Sequence, residues 1–194
     1  MVELPELLVG DAAEWREWLA EHHAGSPGVW LVVTRKGGTT TTLQYDDAVR
    51  QALCFGWIDG QKRSRDAESS LQRFTPRRPR SRWSQSNVAR VADLERAGLM
   101  APAGAAEVAA AQADGRWDAA YAGPARIEVP ADLAAALAAA PEAQAAFATL
   151  TSANRFAVIY RITGIRRADH RARKVAELVA MLASGQTIHP QRPS

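Results

Sequence analysis

Every run in this chain that is patterned as a strand lies before Pro79, and every run after it is patterned as a helix. The spacing predicts an α+β unit followed by an all-helical segment. Trp15, Trp18, Leu19 and His22 recur at i, i+3, i+4 and i+7, so residues 11–22 read as an amphipathic helix capped by Asp11. Two β-branched runs, VWLVVTRK (29–36) and TTTLQY (40–45), flank Gly37-Gly38, a pair that tolerates positive φ and predicts a hairpin. Asp46 then opens a short helix with an apolar stripe of Ala48, Val49, Ala52 and Leu53, and Gly56 ends it. In FGWIDGQK the residues Phe55, Trp57 and Asp59 share one face and Ile58 the other; after a polar DAE turn, SSLQRFTP (69–76) repeats the alternation as a second hairpin.

Beyond Pro79, Ser81 or Ser84 caps a helix with Val88, Val91 and Leu94 in register and Gly98 as its stop. Pro102, Pro130 with Asp132, and Pro141 each open another, since proline suits the first helical turn. Ser152 caps NRFAVIYRI, Gly164 interrupts, and a last helix buries Val175, Leu178, Val179 and Leu182 before Gly185. The fold class expected is α+β: a small antiparallel sheet of about four strands with flanking helices, then an all-helical C-terminal segment. The division expected is an α+β domain over 1–79, a helical region over 80–188 packed on it, and a tail over 189–194.

Composition narrows the function classes. At 47% hydrophobic the chain has ample material for a core. The N-terminus is acidic where a signal peptide is basic, and no window reaches the roughly 18 to 20 apolar residues of a membrane span. These features, with a single cysteine, suit the cytoplasm. Four scattered histidines and one cysteine make no metal-ligand spacing, so no metal or cofactor is expected.

The net charge of +3 hides two basic islands. Lys62, Arg63, Arg65, Arg73, Arg77, Arg78, Arg80 and Arg82 face only Asp66 and Glu68 in sequence; Arg155, Arg161, Arg166, Arg167, Arg171, Arg173 and Lys174 face only Asp169. The rest of the chain is therefore acidic.

Three groups invite a chemical reading. Cys54 sits at a helix C-terminus among apolar neighbours, where the dipole opposes a thiolate, so it reads as a small buried hydrophobe. Asp59, close in sequence to Lys62, Arg63 and Arg65, suits an ion-pair anchor to an arginine better than a general base. The stretch RFTPRRPRSRWS interleaves arginines with Phe74 and Trp83, a pattern that suits an anionic ligand or single-stranded nucleic acid; the plain alternative is pairing with the acidic body of the same chain. A glycine-rich phosphate loop and a nucleophile elbow are both missing from the sequence, and an enzymatic function has little positive support.

Taken together, CFGWIDGQK, QRFTPRRPRSRWSQSNVARV, GLMAPAG, DGRWDAAY and ANRFAVIYRI resemble the YdeI/OmpD-associated family, often labelled bacteriocin-protection proteins. The resemblance spans roughly Trp30 to Gly185 and is most distinctive from Cys54 to Arg90; Gly60 stands where serine is more common. It implies a YjbR/CyaY-like first half and a role in bacterial stress or antimicrobial-peptide resistance, with no catalytic residue to carry over. The candidate ligand-binding surface is Trp57, Asp59, Lys62, Arg73, Phe74, Arg77, Arg78, Trp83, Ser84 and Asn87. An anionic ligand or a protein partner is expected there, because basic islands repel a cationic peptide. The alternative is a nucleic-acid-binding module built on the same arginines and aromatics.

Overall fold

The run VWLVVT is buried along its whole length and forms the strand around which the first half is built. The computed structural model describes residues 3–123 and 127–191, and the chain divides into two compact units, Met1–Ala120 and Tyr121–Ser194. In the first unit the elements are β1 (Glu6–Leu7), α1 (Ala12–His22), β2 (Val29–Thr34), α2 (Tyr45–Cys54), β3 (Trp57–Ser64), β4 (Ser69–Pro76), α3 (Gln85–Arg96) and α4 (Pro102–Ala113). The sheet order is β1-β2-β4-β3.

The first hairpin expected from sequence does not form. Strand β2 pairs antiparallel to β4 from Val29↔Phe74 to Thr34↔Ser69 and parallel to β1 at Trp30 and Leu31, and residues 40–45 reach its remaining edge through the Thr34 amide, which donates to the Leu43 carbonyl at 3.4 Å, without forming a strand. That segment runs as a loop instead, with Leu43 buried and the Thr41 hydroxyl donating to the Val9 carbonyl at 2.6 Å. The sheet is consequently mixed rather than antiparallel throughout, because a two-residue β1 takes the outer place. The second hairpin, β3 with β4, forms as expected.

Alternation assigns the two faces of the sheet, since directly opposed residues share a side. On one side lie Val29, Leu31, Val33, Phe74 and Trp57, and they share one core with Trp15 and Leu19 of α1, Ala48, Ala52 and Leu53 of α2, and, beyond α2, Val91 and Leu94 of α3 and Val108 and Ala111 of α4. Each large side chain fully buried here is worth roughly 1.5 to 3 kcal/mol. Asp11 caps α1 by accepting from the Ala13 and Glu14 amides, and Ser84 caps α3 through the Asn87 amide. Helix α2 starts one residue before Asp46, after a Gln44 that makes no side-chain cap; Asp46 instead accepts from Arg90. The composition change near Pro79 is a change of secondary structure, for α3 and α4 complete the core of the first unit.

Helix α4 can reach α2 only because residue 104 is glycine. A Cβ there would meet the Cys54 carbonyl oxygen at 2.2 Å, and the Ala101 amide donates to that same oxygen at 3.0 Å.

The second unit holds α5 (Ala131–Ala138), α6 (Pro141–Ala148), α7 (Ser152–Ile162) and α8 (Ala168–Ala183). Its core gathers Leu133, Leu137, Phe147, Val158, Ile159, Ile162, Val175, Leu178 and Leu182; Val179, expected in that stripe, is only half-buried beside it. Thr151 rather than Ser152 caps α7, its hydroxyl accepting from the Asn154 amide. The segment expected to be a tail is tied down as far as it is described. Buried Asn154 donates to the His189 carbonyl at 3.0 Å and accepts from the His189 amide at 2.8 Å; residues 192–194 lie outside the described residues. Among the described residues no helix is long and apolar enough to cross a membrane.

Candidate functional site

The residues singled out from sequence separate into three environments. Trp57, Phe74 and Trp83 are core residues at 1%, 0% and 1% exposure, and no planar ligand can stack on them. Trp57 donates from Nε1 to the His23 carbonyl at 3.2 Å, and Trp83 packs edge-on against Trp117. Arg77 is buried as well, its guanidinium carbon 3.5 Å from the Trp83 ring centre and its Nη1 donating to the Arg82 carbonyl. This stack helps hold the strand exit against α3. Ser84 and Asn87 serve the start of α3, where Asn87 also accepts from Arg90 at 3.1 Å.

Asp59 is not an arginine anchor. Its carboxylate accepts from the Tyr45 hydroxyl at 2.7 Å, and among the described residues it makes no ion pair. Burial, and then that bond to Asp59, push the Tyr45 hydroxyl above the ordinary phenol range, so Tyr45 remains a proton donor. Burial likewise pushes the Cys54 thiol up, which keeps it a neutral core group.

Lys62 and Arg78 are exposed, and Arg73 alone of the expected set joins a new cluster on the second side of the sheet. That side carries Trp30, Val32 and Thr34 from β2, Leu71, Arg73 and Thr75 from β4, and Ile58 and Arg63 from β3. The buried hydrophobic residues of the four helices gather with the opposite face. A bulge between Asp59 and Lys62 is responsible for Arg63: one extra residue in β3 reverses the alternation and turns Arg63, not Lys62, toward Leu71 and this side. Gln72, buried on the core face, donates to the Gly60 carbonyl at 2.9 Å and the Gln61 carbonyl at 3.3 Å, satisfying the bulge.

The arginines lie flat on the apolar floor. The Arg63 guanidinium carbon sits 4.0 Å from the Trp30 ring centre, and Arg73, directly opposite Trp30 in the ladder, has a buried Nε with no hydrogen-bond partner among the described residues. Arg35, one residue past Thr34, falls on the other side of the sheet, where it donates to the Ser69 carbonyl at 2.9 Å and to the hydroxyl of Ser64, which opposes Ser70, at 2.7 Å. Acidic groups near the Trp30 side are already engaged. Glu6 and Asp66 both pair with Arg65, at 2.7 and 2.8 Å, and Glu68 accepts from Thr39. Bonds from Ser69, first through its hydroxyl, hold the Asp66 carboxyl below its ordinary range. Arg63 and Arg73 make no ion pair among the described residues, so this side keeps an uncompensated positive charge. Sequence reasoning missed Trp30 because it lies outside the dense run of arginines.

The second unit offers a cavity of about 470 Å³ lined by Ala136, Ala168, Ala172, Val175 and Ala176. Its charged pair, Arg171 with Asp132 at 2.6 Å, is mutually neutralised and leaves no free polar group to orient a ligand.

Fold and site together define a two-unit protein: an α+β unit with a basic outer sheet face, and a helical unit. The chain belongs to the family described as Domain of unknown function (DUF8412), which matches residues 7–107, just over half of its 194 residues. A second family, described as Bacteriocin-protection, YdeI or OmpD-Associated, matches residues 126–185. The YdeI/OmpD-associated resemblance is thus supported by the helical unit, while Cys54–Arg90 falls in the first match and a YjbR/CyaY-like first half finds no support. Neither a curated protein nor a solved structure matches the chain.

Proposed function

We propose that this is a cytoplasmic binding protein, acting without catalysis, that captures an anionic ligand on the outer face of its sheet and contributes through it to bacteriocin or stress resistance. The observation that carries the reading is the gathering of Arg63 and Arg73 around Trp30 with no ion pair among the described residues. Uncompensated guanidinium groups spread over a low-dielectric surface attract anions strongly and offer them forked, directional donors. The groups that invited a catalytic reading are occupied elsewhere: Asp59 holds Tyr45, and Cys54 is buried and neutral. The YdeI/OmpD-associated match supplies the link to bacteriocin protection. Direct capture of a cationic peptide at this face is disfavoured by charge, so the ligand is the intermediary.

Retention on immobilised heparin tests the reading. Arg63→Ala/Arg73→Ala should elute at clearly lower salt than Arg166→Ala/Arg167→Ala, which removes the same charge from the second unit. Equal elution of the two double variants would remove the sheet face as the anion site.

A further inference from the structure

The shape of the arginine face says more about its ligand than its charge does. Arg73 and Arg63 stand as diagonal neighbours on β4 and β3, about 7 to 8 Å apart at the backbone, because Arg63 opposes Leu71.

The second observation is the Arg63–Trp30 stack. The guanidinium plane is backed by the indole at 4.0 Å, while Arg63 itself is exposed, so a flat π-surface is presented outward on a fixed support. Arginine planes of this kind stack on unpaired bases, which a duplex keeps inside its own stack. Directly across the ladder from Trp30, the orphaned Nε of Arg73 leaves a donor on that side chain without an acceptor.

From these we infer that the ligand is single-stranded nucleic acid, laid across β3 and β4 with one base on the Arg63 guanidinium and a phosphodiester against Arg73. The inference rests on the anion-binding reading above and narrows it. Sequence-independent binding follows, since a π-plane and charges read no base edges.

Fluorescence anisotropy with a labelled 12-nucleotide oligothymidylate tests it, with polyphosphate and a duplex of matched length as base-free and base-paired competitors. The single strand should bind more tightly than either competitor. Two cations imply a slope of log K against log salt of about −1.4, so a tenfold rise in salt should weaken binding about 25-fold. Arg63→Lys keeps the charge and loses the plane: binding should fall about tenfold with the slope unchanged. Arg73→Ala should reduce the slope by about 0.7. Unchanged far-ultraviolet circular dichroism would certify that both variants fold. Oligothymidylate competing no better than polyphosphate, or an Arg63→Lys protein that binds like the parent, would overturn the nucleic-acid inference and leave the anion site standing. Absence of binding to all three probes at low salt would overturn both.

Discussion

Replacing Gly104 by alanine places a methyl carbon 2.2 Å from the Cys54 carbonyl oxygen, 2.6 Å from its carbon and 2.7 Å from the Leu53 oxygen. All three are backbone atoms at the end of α2, so no side-chain rotation relieves the clash. Restoring an ordinary contact of about 3.3 Å requires α4 to retreat by roughly 1 Å. That movement lengthens the Ala101 to Cys54 hydrogen bond, now 3.0 Å, past its useful range, at about 0.5 to 1.5 kcal/mol. It also loosens Val108 and Ala111 in the core, and overpacking of this kind costs about 1 to 3 kcal/mol. Against these stands the helix-propensity gain of alanine over glycine, at most about 1 kcal/mol. The net expectation is a destabilisation of about 1 to 3 kcal/mol. Urea denaturation followed by tryptophan fluorescence is the assay, because all six tryptophans (Trp15, Trp18, Trp30, Trp57, Trp83 and Trp117) lie in the first unit and report on it alone. Gly25→Ala is the control: a Cβ there meets nothing within 4 Å, and its stability should change by less than about 0.5 kcal/mol. A Gly104→Ala protein as stable as the parent would refute the backbone contact between α4 and α2.

Two further outcomes follow from the second unit. Asn154→Ala removes the bonds that hold His189 on both its backbone groups, so amide hydrogen exchange at His189 should accelerate at least tenfold; unchanged exchange would mean the latch is not what holds the segment. Arg171, mainly by hydrogen bonding, holds the Asp132 carboxyl below its ordinary 3.8. Because the folded value is the depressed one, the stabilisation is present above the unfolded value and lost as pH falls through the folded one. Thermal unfolding of the helical unit, followed by circular dichroism between pH 6 and 2, should show an acid loss that shrinks in Arg171→Ala, and an identical loss in both proteins would count against the pair.

Much of the architecture was legible because it rests on local rules. Asp11, Ser84, Pro102, Pro141 and Gly185 bound helices where capping, fixed φ or positive φ requires them. The β3–β4 hairpin follows from alternation on both sides of a polar turn. The 37–38 glycine pair misled because hairpin chemistry is also local, whereas the edge of β2 was decided by β4 and β1 from elsewhere in the chain.

The candidate site was legible only in its chemistry. A dense run of arginines interleaved with aromatics announced an anion-binding character, yet sequence spacing carries no information about which aromatics the core absorbs. Trp57, Phe74 and Trp83 point inward, and Trp30, thirty or more residues upstream of the arginines, becomes their support because β2 lies next to β4. A single extra residue in β3 then exchanges the sides of Lys62 and Arg63, and it is held by Gln72 from the neighbouring strand. Charge, helix ends and the α+β class are properties of short stretches, and a linear reading reaches them. Burial, strand neighbours and register are set by contacts between distant stretches, and those decided which arginines share a face and on what surface they lie.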